Sequence, residues 1–211
     1  GMAETLSREL TASHLSHADK ADVIREQALL TSKMVNNLLD MARFESGAVK
    51  PRIDWQSLEE IVGGALKILE PSLKEHPIKI SLAAKTPRVK CDAILIERVF
   101  VNLLENAGKY TPPGTTVGIN INPEDTQLFI DVWDEGPGIV PVSEHAIFEK
   151  FVRGQKESAI PGAGLGLAIC EAIVLAHGGK IWAENRTPRG ARFVFTLPLD
   201  EQPNVLPEVL S

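Results

Sequence analysis

Apolar residues recur at three- and four-residue steps early in the chain: Val23, Leu29, Leu30, Met34, Val35, Leu38, Leu39, Met41 and Ala42. That period predicts helix, so residues 3–46 read as helical, with residues 13–19 as a turn between a short helix and a long one. Gly47 is a C-terminal stop. A hairpin with a single apolar stripe cannot bury it alone, so it must pack on the next domain or on a second copy. Residues 47–54, with Pro51, read as a linker, and residues 57–70 as an amphipathic helix ended at Pro71. Residues 78–82 alternate apolar and polar like a strand, and 89–91 form a second, short one. Asp92 suits the N-cap of a helix running to about Lys109, before the turn Pro112-Pro113-Gly114. Residues 116–122 and 127–133 alternate again, joined by a hairpin at Pro123-Glu124-Asp125. Residues 165–176 read as a buried helix closed by Gly178-Gly179, and 181–184 with 192–197 as a final hairpin.

This order of elements predicts an α+β protein. Residues 51–199 form a two-layer α/β sandwich, a mixed sheet with helices on one face. A helical hairpin over residues 1–50 precedes it, and residues 200–211, with Pro203 and Pro207, follow as a tail. A hydrophobic fraction of 44% with 24% charged residues suits a folded, water-facing chain. The net charge of -6, without a basic run, argues against nucleic acid as partner. No apolar stretch has the length of a membrane span. No signal peptide is visible, and Gly1-Met2 reads as a remnant ahead of the start. Cys91 and Cys170 sit inside a strand and a helix and match neither a disulfide framework nor a zinc site, which points to a reducing cytosol.

Four short segments carry the chemistry. On the helix ending near Lys109, Asn102 and Asn106 are four residues apart and share a face, and their amide oxygens are hard ligands of the kind magnesium takes. Asp134 ends an apolar strand and opens Asp134-Glu135-Gly136-Pro137-Gly138, where the glycines let the backbone turn sharply. Phe148 and Phe151, in Phe148-Glu149-Lys150-Phe151-Val152-Arg153, can anchor a loop. Gly162, Gly164 and Gly166 stand at the start of a helix, where bare amides make an anion site. No strand precedes these glycines as a dinucleotide fingerprint needs, and Gly-Lys-Ser/Thr of a P-loop is absent. Each segment taken alone is as well explained by a solvated helix face, a surface turn, core aromatics or a loop.

In this order and spacing the four segments resemble the N, G1, F and G2 boxes of a histidine-kinase ATP-binding domain, of the GHKL superfamily. Residues 28–47 are similar to the second helix of that family's dimerisation and phosphotransfer hairpin, and residues 154–179 resemble its potassium- and turgor-responsive sensors. The resemblance implies the Bergerat fold, with ATP and Mg2+ as cofactors. It makes Asn106 the metal ligand, and Glu105 the acid that polarises the incoming nucleophile. It sets Asn102, Asn106, Lys109, Tyr110, Asp134, Gly136, Gly138, Ile139, Arg153, Gly162, Gly164, Leu165, Gly166 and Leu167 around the nucleotide. Asp134 accepts from the adenine amino group, while Lys109 and Arg153 meet phosphate. Residues 152–163 are the expected mobile lid.

One departure stands out. The family's acceptor sequence, His-Asp/Glu-Leu-Arg-Thr-Pro-Leu, is missing. His14 and His17 lack the acidic neighbour, arginine and proline, and His76, His145 and His177 read as structural or surface residues. The chain reads as starting just after the acceptor. The expectation is therefore a kinase region that phosphorylates a histidine elsewhere, for onward transfer to a response-regulator aspartate. The intact protein would be a homodimer reaching the membrane only through upstream segments. A water-attacking GHKL ATPase and a non-enzymatic nucleotide-binding module are the competing readings. The helical segment ahead of residue 52 favours the kinase.

Overall fold

The computed structural model describes residues 17–47, 50–83, 86–139, 146–148 and 164–200. Its elements run α1 (His17–Glu45), β1 (Asp54–Gln56), α2 (Leu58–Leu73), β2 (Ile78–Leu82), β3 (Val89–Cys91), α3 (Ala93–Tyr110), β4 (Val117–Glu124), β5 (Gln127–Asp134), a 3-10 turn (Ala146–Phe148), α4 (Gly166–Ala176), β6 (Ile181–Asn185) and β7 (Ala191–Pro198). Five strands make one mixed sheet in the order β2-β4-β5-β7-β6, and β1 pairs with β3 in a separate ribbon. Only β2 and β4 run parallel; the other pairings in the large sheet are antiparallel. The expected two-layer sandwich is therefore the observed fold.

Helical period builds one layer and strand period the other. Leu58, Ile61, Val62, Ala65, Leu69 and Leu73 make one face of α2, and Ile96, Val99, Phe100, Leu103, Leu104 and Ala107 one face of α3; all are buried. Alternate residues of the strands meet them: Val117, Ile119 and Ile121 from β4, Leu128, Ile130 and Val132 from β5, Phe195 and Leu197 from β7. Phe100 and Phe195 join the layers edge-on, with ring centroids 5.5 Å apart. Period two also puts Asp134 on the helix-facing side of β5, beyond Leu128, Ile130 and Val132.

Several expectations shift. Helix α2 runs through Pro71 to Leu73. The N–H that proline lacks would have bonded the carbonyl of Lys67, an exposed residue whose carbonyl water can serve, so the break is tolerated. The turn at the β4–β5 hairpin is Asp125-Thr126, with Asp125 at φ 43°, while Pro123 pairs with Leu128 inside the ladder. Strand β1 begins on the last residue of the expected linker and fills the gap before α2, where it pairs with β3. Residues 17–19, expected in a turn, belong to helix α1. That helix is the one N-terminal helix described, and the first arm of the expected hairpin falls on residues outside the description. Met41 and Phe44 pack against the core, but Ile24, Leu29, Met34, Val35, Leu38 and Leu39 remain exposed.

Asp92 is the joint that orients α3. Its Oδ1 accepts from the N–H groups of Ile94 and Leu95 at 3.1 and 3.2 Å, and its Oδ2 from Arg52 at 2.9 Å. Its own N–H donates to Nε2 of buried His177 at 3.0 Å, and His177 Nδ1 lies 2.8 Å from the Ile173 carbonyl. His177 is thus structural, as expected. Replacing Asp92 by alanine removes a helix cap and strands three amides, and should cost about 1–2 kcal/mol in chemical denaturation. A loss below a few tenths of a kcal/mol would show that water replaces the cap.

Candidate functional site

Asp134 is the buried carboxylate at the centre of the site, 6% exposed. Its Oδ1 accepts from Gly136 N–H at 2.8 Å and from Ala191 N–H at 3.3 Å, which among the described residues leaves Oδ2 as an available acceptor. Burial pushes its carboxyl above the ordinary range, against the pull of those two bonds and the Arg186 charge. A Cβ on Gly136 would stand 2.5 Å from Thr111 Cγ2 and 2.9 Å from Asp134 Oδ1. Here the glycine lets the loop lie against the end of α3, where buried Thr111 donates to the Ala107 carbonyl at 2.7 Å.

The middle of α3 meets the start of α4. A Cβ on Gly166 would lie 3.7 Å from Asn102 Oδ1. Asn102 Nδ2 is buried and faces the Cys170 thiol, too far for a hydrogen bond of normal length, with no closer partner among the described residues. Helix α4 begins after Gly164, at φ 65°, with buried Leu165 in the N-cap position and no side-chain cap bond. Helices α2 and α3 are capped by Ser57 and Asp92, so α4 differs in leaving its first amides without a side-chain acceptor. Leu167 packs against the core, as does Cys170, whose thiol burial pushes up to about 12, like that of Cys91.

Asn106 is half-buried on α3, and Lys109 Nζ lies over the Tyr110 ring, 5.2 Å from its centroid. Glu105 faces α1, where both carboxylate oxygens accept from Lys33 Nζ at 2.6 Å. Arg98 adds bonds to Asp40 and Asn37 of the same helix. Phe148 is buried, as an anchor should be. Phe151, Arg153 and Gly162, with the expected lid, lie outside the described residues. Helix α3 therefore links three of the four segments: the start of α4 meets it at Asn102, and the loop after Asp134 meets its end at Thr111.

The residues that sequence reading missed come from the β6–β7 turn. Asn185 Oδ1 accepts from Ile139 N–H at 2.6 Å, and Asn185 Nδ2 donates to the Ile139 carbonyl at 3.0 Å. Arg186 Nη1 donates to the Asp134 carbonyl at 3.1 Å, with its guanidinium stacked 4.1 Å from the Trp133 ring centroid. In the sequence, Asn185 to Gly190 looks like any polar turn, and no local signal marks its reach across the sheet.

A mixed sheet backed by helices, with a buried acid at a strand end, is the frame of one ATPase class. Residues 91–201 match the family described as histidine kinase-, DNA gyrase B-, and HSP90-like ATPase, and the chain belongs to that family. Within it, the chain is a homologue of the sensor protein KdpD of Escherichia coli (strain K12), 49% identical over 205 residues. That alignment covers 97% of this chain but 23% of the relative's length. Among solved structures, the mycobacterial sensor histidine kinase MprB is similar at TM-score 0.62 and 29% identity, over 69% of this chain and 97% of that one. Full-length ShkA, solved in complex with AMPPNP, is similar at TM-score 0.73 and 27% identity, over 90% of this chain and 41% of that one.

Proposed function

We propose that this chain is the catalytic region of a sensor histidine kinase, which binds Mg-ATP and passes its γ-phosphoryl group to a histidine outside residues 1–211. The carrying observation is Asp134, whose buried carboxylate has one oxygen held by backbone and, among the described residues, one available, in a fold whose helix α4 starts without a side-chain cap. An available carboxylate oxygen suits the adenine amino group. Amides at a helix start that has no side-chain cap suit phosphate oxygens.

In this reading Asp134 holds the base, with Gly136, Gly138 and Ile139 forming the loop beside it. Asn102, Gly164, Leu165, Gly166 and Leu167 present the phosphate end, with Lys109, Arg153 and Gly162 joining them and Tyr110 packing near the nucleotide. Asn106 supplies an amide oxygen to Mg2+, which neutralises triphosphate charge when bound. Glu105 orients the incoming histidine, and the Lys33 pair must open for it to do so. That pair is surface-exposed enough that opening costs at most about 1 kcal/mol. KdpD homology supports potassium or turgor as the stimulus of the intact protein, a response regulator as the onward acceptor, and homodimerisation through the α1 segment. Residues 1–50 then belong to the dimerisation hairpin, 51–199 to the ATP-binding domain and 200–211 to a tail. No helix among the described residues is long and apolar enough to cross a membrane; a cytoplasmic placement of this region rests on the KdpD homology.

None of the five histidines carries the acceptor sequence. With γ-labelled ATP and magnesium, the chain alone should acquire no acid-labile phosphohistidine. An added acceptor hairpin from the full-length protein should become labelled, at a rate limited by bimolecular docking. Stoichiometric self-labelling at His14 or His17 would overturn the separate acceptor. Phosphate release to water, unaffected by the hairpin, would make the chain a simple ATPase.

A further inference from the structure

We propose that Asn185 is a positioning residue for nucleotide binding: its side-chain amide clamps Ile139 and so sets the loop from Asp134 to Ile139 in the shape that receives the base. The inference rests on the ATP reading above.

Asparagine at a strand end ordinarily bonds within its own turn. Asn185 reaches across 46 residues instead, and uses both halves of its amide on the backbone of one residue, Ile139, as acceptor at 2.6 Å and donor at 3.0 Å. Gly138 makes room for it. At φ 81° a side chain there would be strained, and a Cβ would stand 2.5 Å from Asn185 Oδ1. The neighbouring turn residues act on the other end of the same loop. Arg186 bonds the Asp134 carbonyl, and Ala191 N–H bonds Asp134 Oδ1. Gly190, at φ 104°, packs directly against the Asp134 backbone. Trp133 in turn holds the Arg186 guanidinium by stacking.

The base-end loop is thus gripped at both ends by one hairpin turn, with Asn185 as the grip on its outgoing end. Without that grip, Ile139 is released and the loop samples conformations in which Gly136 and Gly138 no longer lie beside the base. Ordering it again would be charged to binding, so affinity falls while the fold stands. Among the described residues the turn touches nothing at the phosphate end, so ATP and ADP should suffer equally.

The test uses this chain with Asn185→Ala and the near-isosteric Asn185→Asp, whose carboxylate accepts from Ile139 N–H but cannot donate to its carbonyl. Asp134→Ala serves as control. Calorimetric titration with Mg-ATP and Mg-ADP should show both Asn185 variants weakened roughly tenfold, about 1.4 kcal/mol, by the same factor for each nucleotide and with unchanged sites per chain. Amide exchange should show Ile139 protection lost in Asn185→Ala and that of Ile130 kept. A fold defect would instead lower the number of sites per chain and melt Ile130, and that result overturns the proposal. Unchanged affinity in Asn185→Ala, with Asp134→Ala weakened, also overturns it while leaving the ATP reading intact. Asn185→Asp behaving as the unaltered chain would overturn the two-way clamp. An unaltered chain that binds neither nucleotide would overturn both the ATP reading and the clamp.

Discussion

Asp134→Ala should weaken Mg-ATP binding by more than tenfold, at least about 1.4 kcal/mol, because it deletes the buried acceptor proposed for the adenine amino group. The fold should survive the loss, since alanine removes an acceptor whose two N–H partners lie in a loop and at a strand start. Asp134→Asn separates recognition from stability. Asparagine keeps an Oδ1 for Gly136 and Ala191 but loses the charge, and its amide can present a donor where the base needs an acceptor. Burial raises the Asp134 carboxyl above its unfolded value. A carboxyl raised in this way contributes stability that is fully present below the unfolded carboxylate range and is lost as pH rises through the folded value. At neutral pH the charged Asp134 therefore costs the fold something. Asp134→Asn should melt higher than the unaltered chain near pH 7, with the gap closing in acid, while binding ATP more weakly. Calorimetric titration and thermal melts across pH measure both arms. Unchanged affinity in Asp134→Ala would remove Asp134 from the site, and a lower neutral melting point for Asp134→Asn would show that its charge is better satisfied than burial implies.

Gly190→Ala should cost about 3 kcal/mol or more, a large share of the margin of an ordinary domain. Two effects add. Its φ of 104° strains any side chain, and a Cβ there would collide with the Asp134 carbonyl, backbone that cannot rotate away. The same push displaces Asp134, so nucleotide affinity should fall with stability. Gly63→Ala is the contrast. Gly63 lies inside α2 with nothing near its missing Cβ, and alanine there should stabilise by up to about 1 kcal/mol. Denaturant midpoints compare the two. A Gly190→Ala cost below about 1 kcal/mol would mean that the turn yields, and that it does not hold Asp134 rigidly.

Short-range physics was legible. The Asp92 cap acts within three residues, the stop at Gly47 within its own turn, and the apolar periods of α3 and β5 within single elements. The candidate motifs were legible for the same reason: Asn102, Asn106, the loop from Asp134 to Gly138 and the glycines before α4 each announce a local backbone need or a chemistry. Where local rules compete with packing, the reading slipped. Pro71 reads locally as a stop, but the buried face that runs on to Leu73 outweighs one lost helix bond. Tertiary structure alone decided the rest. Asn185 meets Ile139 across 46 residues, and Lys33 meets Glu105 across 72. Such contacts depend on which strands become neighbours, and no local period encodes that. The sequence by itself determined the elements, their order and the acid at the end of β5. The β5–β7 pairing decided that a turn reading as ordinary polar loop would lie against that acid, because only the assembled sheet brings Ala191 and Asn185 beside the loop that follows Asp134.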